Sequence, residues 1–234
     1  MLIFKTRYMS EITLFNDHTD EYEAWFKKYP FVFKSEVTAL KRLLPKGDNV
    51  RGIEVGLASG RFAKALGIDE GIEPARKMRD LAERKKIFVV NAVAEKLPYK
   101  PLQFDFVLMN SCISYFENLS EAFSEAKRVL KRGGALIVSF IDKNSKIGKY
   151  YHHKKNKSVF YRHATFYSVN KIKKELEKAG FGDLQFSQTL FHSLDNIKTT
   201  ETPLPGCGKG SFIIIKAIRS EEHTSELQSQ NRIS

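Results

Sequence analysis

The chain is predicted to fold as an α/β domain, a doubly wound sheet covered by helices on both faces and preceded by a helical cap. Three observations carry this. From Val50 onward seven short apolar runs alternate with amphipathic stretches, the rhythm that yields a parallel sheet buried on both sides. Gly and Pro stand singly between these segments, with no repeat and no long linker. A length of 234 residues at 42% apolar content suffices for one domain with a complete core, which excludes disorder, collagen-like sequence and coiled coil. No apolar run approaches the ~20 residues that span a bilayer, and Met1 to Ser10 lacks the apolar block of a signal peptide. A cytoplasmic protein is the expectation. Cys112 and Cys207 are the only cysteines, too few for a disulfide framework or a zinc site, so no metal is expected.

The elements follow in order. Residues 20–28 form a first cap helix ending before Pro30. Residues 35–44 form a second ending before Pro45, with Val37, Leu40, Leu43 and Leu44 on one face. Strands are predicted at 50–56, 68–73, 87–91, 104–110, 135–140, 184–189 and 211–217, and helices at 61–66, 75–86, 119–131 and 169–179. Asn118 with Glu121 makes a capping pair, and Gly133 and Gly180 sit where a left-handed residue closes a helix. The domain is drawn as 20–218, with a cap at 20–45 and an insertion at 141–166. Residues 1–19 are read as an extension that need not be ordered. Residues 219–234 begin RSEEHTSELQS, which resembles a translated sequencing adapter and is set aside as an artefactual or disordered tail. Without it, 37 Lys and Arg face 24 Asp and Glu, a net charge of +13. Such a charge suits an anionic partner such as RNA, or solubility alone.

The chemistry is concentrated in IEVGLASGRFA, residues 53–63. A strand runs into Gly56, Ala58 and Gly60 and a helix begins at once, so small residues allow a sharp turn and close approach of a ligand to free amides. Such a turn also occurs for packing alone. Glu73, 17 residues after Gly56, ends the second strand before Pro74, which suits a first helical turn. Its carboxylate is placed to accept from both hydroxyls of a ribose, or merely to complement a helix dipole. A dinucleotide fingerprint wants a small residue where Arg61 stands, so the loop suits a nucleoside ligand without pyrophosphate.

At this point the chain resembles the class I S-adenosylmethionine-dependent methyltransferases, the type 11 group related to ubiquinone and sterol methyltransferases. Further blocks are similar in order: Ala94-Glu95-x-Leu97-Pro98, Phe104-Asp105-Phe106-Val107, and Glu125-Ala126-x-Arg128-Val129-Leu130-Lys131-x-Gly133-Gly134. The resemblance implies a mostly parallel seven-stranded sheet of order 3-2-1-4-5-7-6 with the last strand antiparallel, and S-adenosyl-L-methionine as cofactor. It implies that Glu54 and the backbone of Gly56 and Ala58 hold the methionine part, Glu73 the ribose, Val93 and Ala94 the adenine edge, and Asn110 the region beside the sulfonium, with Gly60 and Pro74 also among the cofactor-binding residues. Two departures stand out. Ala58 replaces a glycine, tolerable if its φ is negative. Val93 replaces an acid that accepts from the adenine amino group.

The acceptor side is expected from the insertion 141–166, with Tyr150, Tyr151, Phe160 and Tyr161, together with Trp25 and Phe26 of the cap. Tyr115, His152, His153 and His163 are the candidate catalytic groups, or else ordinary packing and surface residues. The acceptor is expected to be a small molecule. An RNA or protein acceptor, or a non-catalytic S-adenosylmethionine-binding protein, are the alternatives.

Overall fold

The computed structural model describes residues 11–220. The adapter-like segment from residue 221 onward and the first ten residues lie outside the described residues. Residues 11–17 are helical, and two cap helices follow, Thr19–Lys28 (α1) and Pro30–Leu43 (α2). Asp20 and Glu21 in the first turn of α1 and Lys27 and Lys28 in its last complement the helix dipole. The second cap helix starts five residues earlier than its apolar pattern suggests. Pro30 is both the stop of α1 and the first turn of α2, where its fixed φ and missing N–H cost nothing.

The sheet contains Gly52–Val55 (β1), Glu70–Ile72 (β2), Phe88–Val90 (β3), Phe104–Asn110 (β4), Leu130–Ile141 (β5), Phe181–Thr189 (β6), Leu204–Pro205 (β7) and Phe212–Arg219 (β8). Its order is β3-β2-β1-β4-β5-β8-β6-β7. The first five strands pair in parallel, and β8 is inserted antiparallel between β5 and β6. This is the expected order with an eighth strand added, since β7 pairs two residues, one of them proline, at the outer edge of β6. Arg219, grouped with the tail by its sequence, is the last residue of β8 and donates to the carbonyls of Lys127 and Leu130.

Alternation along the strands separates two apolar layers. Ile53, Val107, Met109, Leu136 and Val138 face Leu119–Val129 (α5) and Val169–Lys178 (α7) through Phe123, Ala126, Ile172 and Leu176. Phe106, Leu108, Ile137 and Ile214 face α2, Arg61–Leu66 (α3) and Lys146–His153 (α6), which the sequence pattern did not mark as a helix. Ser145 caps α6 by accepting from Gly148 N at 3.0 Å. Arg76–Arg84 (α4) flanks β3.

Two glycine expectations resolve differently. Gly180, at φ +80°, follows the C-cap of α7 as predicted. Gly133, at φ +69°, does not close α5, which ends at Val129. It lies where β5 shifts register, with Leu130 opposite Phe104 but Ala135 opposite Phe106, so its left-handed backbone lets four residues bulge out. The family-like blocks have structural work too. Asn118 caps α5, accepting from Ser120 N and Glu121 N, while Glu95 rather than Glu121 accepts from Asn118 N. Arg128 binds Glu125 and the carbonyls of Leu97 and Tyr99, which fastens the 95–99 loop to α5. Among the described residues no helix is long and apolar enough to cross a membrane.

Candidate active site

Because β1, β2 and β4 are parallel, Val55, Ile72 and Asn110 end on one edge of the sheet, and the glycine loop turns across it. Left-handed backbone alternates along the loop: Gly56 has φ +68°, Ala58 φ +48° and Gly60 φ +75°. Gly56 and Gly60 are needed for space as well, since a Cβ would lie 2.8 Å from Cys112 Cβ in one case and 2.6 Å from Ile87 Cδ1 in the other. The negative φ required at Ala58 is therefore not what forms. Its methyl is held in a conformation that costs an L-residue ~1 kcal/mol or more.

What holds it there is Glu73. One carboxylate oxygen accepts from Ala58 N at 2.9 Å, and the other from Ala75 N at 2.8 Å, so the second strand braces the turn leaving the first. Burial pushes the Glu73 carboxyl up to about 7, against the pull of those two amides. Ala75 is the N-cap of α4, which places Pro74 one residue outside the helix rather than in its first turn. There its carbonyl, with that of Glu73, accepts from Arg79.

Glu54 lies beneath the loop at 1% exposure. Burial raises its carboxyl to about 8, opposed by hydrogen bonds from the Ala63 amide and the Asn110 side chain, and nearby Glu73 adds to the rise. Ser139 Oγ donates to Asn110 Oδ1 at 2.6 Å, which fixes that amide and turns its NH2 toward Glu54. Among the described residues the second oxygen of Glu54 is buried and has no hydrogen-bond partner. Cys112 closes the edge from β4, its thiol directed at Val55 O at 3.1 Å and pushed up by burial and by Glu54. Val93 forms an isolated bridge to Lys96, and Ala94 is buried beside Leu97.

The cap reaches this edge by contacts that sequence reasoning missed. The Glu23 carboxylate of α1 accepts from Ser59 Oγ and from Arg61 Nε, the latter at 2.9 Å, and Arg61 also lies 4.9 Å above the Phe26 ring. Tyr22, one residue earlier, is within electrostatic reach of Glu54 and Glu73. The available signal was the aromatic spacing His18, Tyr22, Trp25, Phe26, Tyr29 at helical intervals. Tyr22 joins Phe15, Tyr115 and Phe160 in a ring cluster, with Phe15 centred 5.1 Å from Tyr115 and 5.7 Å from Phe160. Tyr115 also donates to Phe160 O at 3.3 Å. His152, His153 and His163 are exposed on or after α6.

Residues 53–138 match the family described as a methyltransferase domain. An uncharacterized protein of Methanocaldococcus jannaschii is 40% identical over 206 residues, 88% of this chain and 98% of its own length. The crystal structure of a Thermotoga maritima protein termed a SAM-dependent methyltransferase, possible histamine N-methyltransferase, has a TM-score of 0.86 at 38% identity and covers 89% of this chain and 99% of its own. A ubiquinone/menaquinone biosynthesis C-methyltransferase of Rhizobium leguminosarum bv. trifolii is 40% identical over 85 residues, 35% of this chain and 33% of that protein. The chain belongs to the S-adenosylmethionine-dependent methyltransferases, and S-adenosylmethionine is its methyl donor.

Proposed function

We propose that the protein methylates a small molecule, with the donor held across the edges of β1 and β2. The donor fits the chain on one observation: a buried, unpartnered oxygen of Glu54 is an acceptor awaiting a cationic or N–H donor, as the methionine amino group is. Glu73 gives each oxygen one backbone amide and keeps further lone pairs for ribose hydroxyls. In this reading the backbone of Gly56, Ala58 and Gly60 lies against the methionine part and Pro74 beside the ribose edge. Val93 and Ala94 border the adenine through backbone and apolar contact, and Asn110 stands beside the sulfonium.

Bound, the donor supplies an activated methyl with a neutral sulfide as leaving group. What remains for the chain is to exclude water and hold the acceptor in line, effects that reach ~7–11 kcal/mol in favourable cases. The observation that carries a small acceptor is the ring cluster of Phe15, Tyr22, Tyr115 and Phe160, which brings cap, post-β4 turn and insertion together beside the donor edge. Tyr115 is the one catalytic candidate within it. Its phenol is raised by burial, so it serves as a neutral hydrogen-bonding group rather than as a phenolate base.

Calorimetry with S-adenosylhomocysteine tests the donor site. Glu73→Ala is expected to weaken binding at least ~10-fold, the worth of hydrogen bonds to a charged group. Incubation with labelled donor and a panel of amines, thiols and quinols tests the acceptor. The description of the Thermotoga protein puts amines first. RNA retention with a steep salt dependence would overturn the small-molecule reading in favour of a polymer that uses the net charge of +12.

A further inference from the structure

Residues 143–166, the segment after β5, carry seven Lys and Arg and no Asp or Glu, more than half of the net charge of +12 in about a tenth of the chain. A basic helix face is ordinarily laced by its own ion pairs. On α7, Lys171, Lys173 and Lys178 pair in this way with Glu175 and Glu177. The segment after β5 has no acid of its own to do so, and among the described residues no ion pair reaches any of its seven cations. Six of the seven are exposed, and Lys155 is half-buried.

The helix of this segment has two faces. In α6, Ile147 and Tyr151 are buried one turn apart, while Lys146, Lys149, Tyr150 and His153, at i, i+3, i+4 and i+7, are exposed together on the other side. Lys154 continues that outer face, its Nζ 5.0 Å from the centre of the Tyr150 ring. Tyr150 is 52% exposed, a large ring left in water among cations. The inner side is aromatic. Tyr151 lies 4.4 Å from Tyr161 between ring centres, and Phe160 joins Phe15 at 5.7 Å in the ring cluster. Backbone bonds fasten the segment to the donor edge, Asp142 N donating to Ser211 O at 2.9 Å and Thr165 N to Ser114 O at 2.8 Å.

Cations set around an exposed tyrosine on one helix face match an anionic bilayer, whose head groups attract the ammonium groups and whose interface takes the ring. Nucleic acid fits this face less well, since base stacking needs an open ring and Lys154 lies over that of Tyr150. We propose that the outer face of α6, with Lys146, Lys149, Tyr150 and Lys154, docks the protein on the surface of an anionic lipid bilayer. The helix lies on the surface and does not cross it. The proposal rests on the small-molecule methyltransferase reading and adds to it the surface at which the enzyme works.

The test is sedimentation of the full-length protein with vesicles of phosphatidylcholine alone, or of phosphatidylcholine and phosphatidylglycerol in equal parts. The anionic vesicles are expected to bind at least ~10-fold more tightly than the neutral ones, and binding to fall as salt screens the head groups. Lys149→Gln with Lys154→Gln should weaken binding ~10-fold or more, and Tyr150→Ser several-fold. Lys149→Arg with Lys154→Arg keeps the charge and should bind as the parent does. Lys100→Gln with Arg132→Gln makes the same charge change where β4 and β5 begin, at the opposite edge of the sheet, and should leave binding nearly unchanged. Equal binding to neutral vesicles, binding to neither kind, a loss in the arginine pair, or an equal loss in the distant pair overturns the docking face. RNA retention that falls with the Lys149 and Lys154 glutamines, in a protein that ignores vesicles, overturns it in favour of nucleic acid. A parent protein that binds anionic vesicles but not S-adenosylhomocysteine strikes instead at the methyltransferase reading, so the two failures are distinguishable.

Discussion

Glu54 and Glu73 matter through their protonation as much as through their position. Burial holds them near 8 and 7, so below neutral pH both are largely uncharged in the free protein. A ligand that donates an ammonium and ribose hydroxyls favours the ionised forms, lowers both pKa values and releases protons. Affinity for S-adenosylhomocysteine is therefore expected to rise between pH 6 and 8 and level off above. Calorimetry in buffers of different ionisation enthalpy reads the protons directly, and Glu54→Gln should remove part of the slope. A flat profile would detach both acids from the ligand. Ala58 supports a separate prediction. At φ +48° its methyl is strained, and Gly relieves the strain at the cost of a looser unfolded chain. Ala58→Gly is expected to stabilise by up to about 1 kcal/mol, or ~2–4 °C in Tm.

Between elements, the contact to test is the clamp of α1 on the glycine loop. Glu23 is the shared acceptor for Ser59 and Arg61, and both partners are half-buried or better, so removing it frees two donors together. Glu23→Ala is expected to raise the KM for S-adenosylmethionine several-fold, by roughly 1–2 kcal/mol. Hydrogen exchange over Thr19–Lys28 should quicken while β1 and β4 stay protected. Unchanged exchange in α1 would mean that Phe26, packed on Phe33 and Phe62, anchors the helix alone. This clamp marks where legibility in the sequence ended. The glycine loop, Glu73 and the sheet rhythm lie within short windows, where period and spacing speak directly. Glu23 meets Ser59 across 36 residues, and Glu36 feels Tyr161 from over a hundred away, so no local pattern signals either. Pro30 misled because one residue serves two helices, and β7 is too short for any periodicity.

At the scale of the whole fold, three of the buried acids among the described residues leave a common signature. Glu36, Glu54 and Glu73 are raised in the folded state to about 8, 8 and 7 from the ordinary 4.5, all by desolvation first. A raised carboxyl keeps its proton when folded and loses it when unfolded. Its contribution is thus whole below pH 4.5 and is lost as pH rises toward 8. Glu23, Asp105, Glu125 and Glu175 are shifted the other way by their hydrogen-bond and ion-pair partners, and their stabilisation is lost only as pH falls below the ordinary carboxylate range. The ligand-free protein should therefore be most stable near pH 5 and weaken by several kcal/mol on the way to pH 8, at ~1.4 kcal/mol per unit for each buried acid as an upper bound. Thermal melts at fixed ionic strength read this, and Glu36→Gln should flatten the slope without touching the donor site. If the melting temperature is instead constant or rising from pH 5 to 8, the acids are not buried as a set. The same dependence predicts that S-adenosylhomocysteine stabilises more at pH 8 than at pH 5, because the ligand supplies a donor to the unpartnered oxygen of Glu54 and adds hydroxyl donors to the two amides that Glu73 already holds.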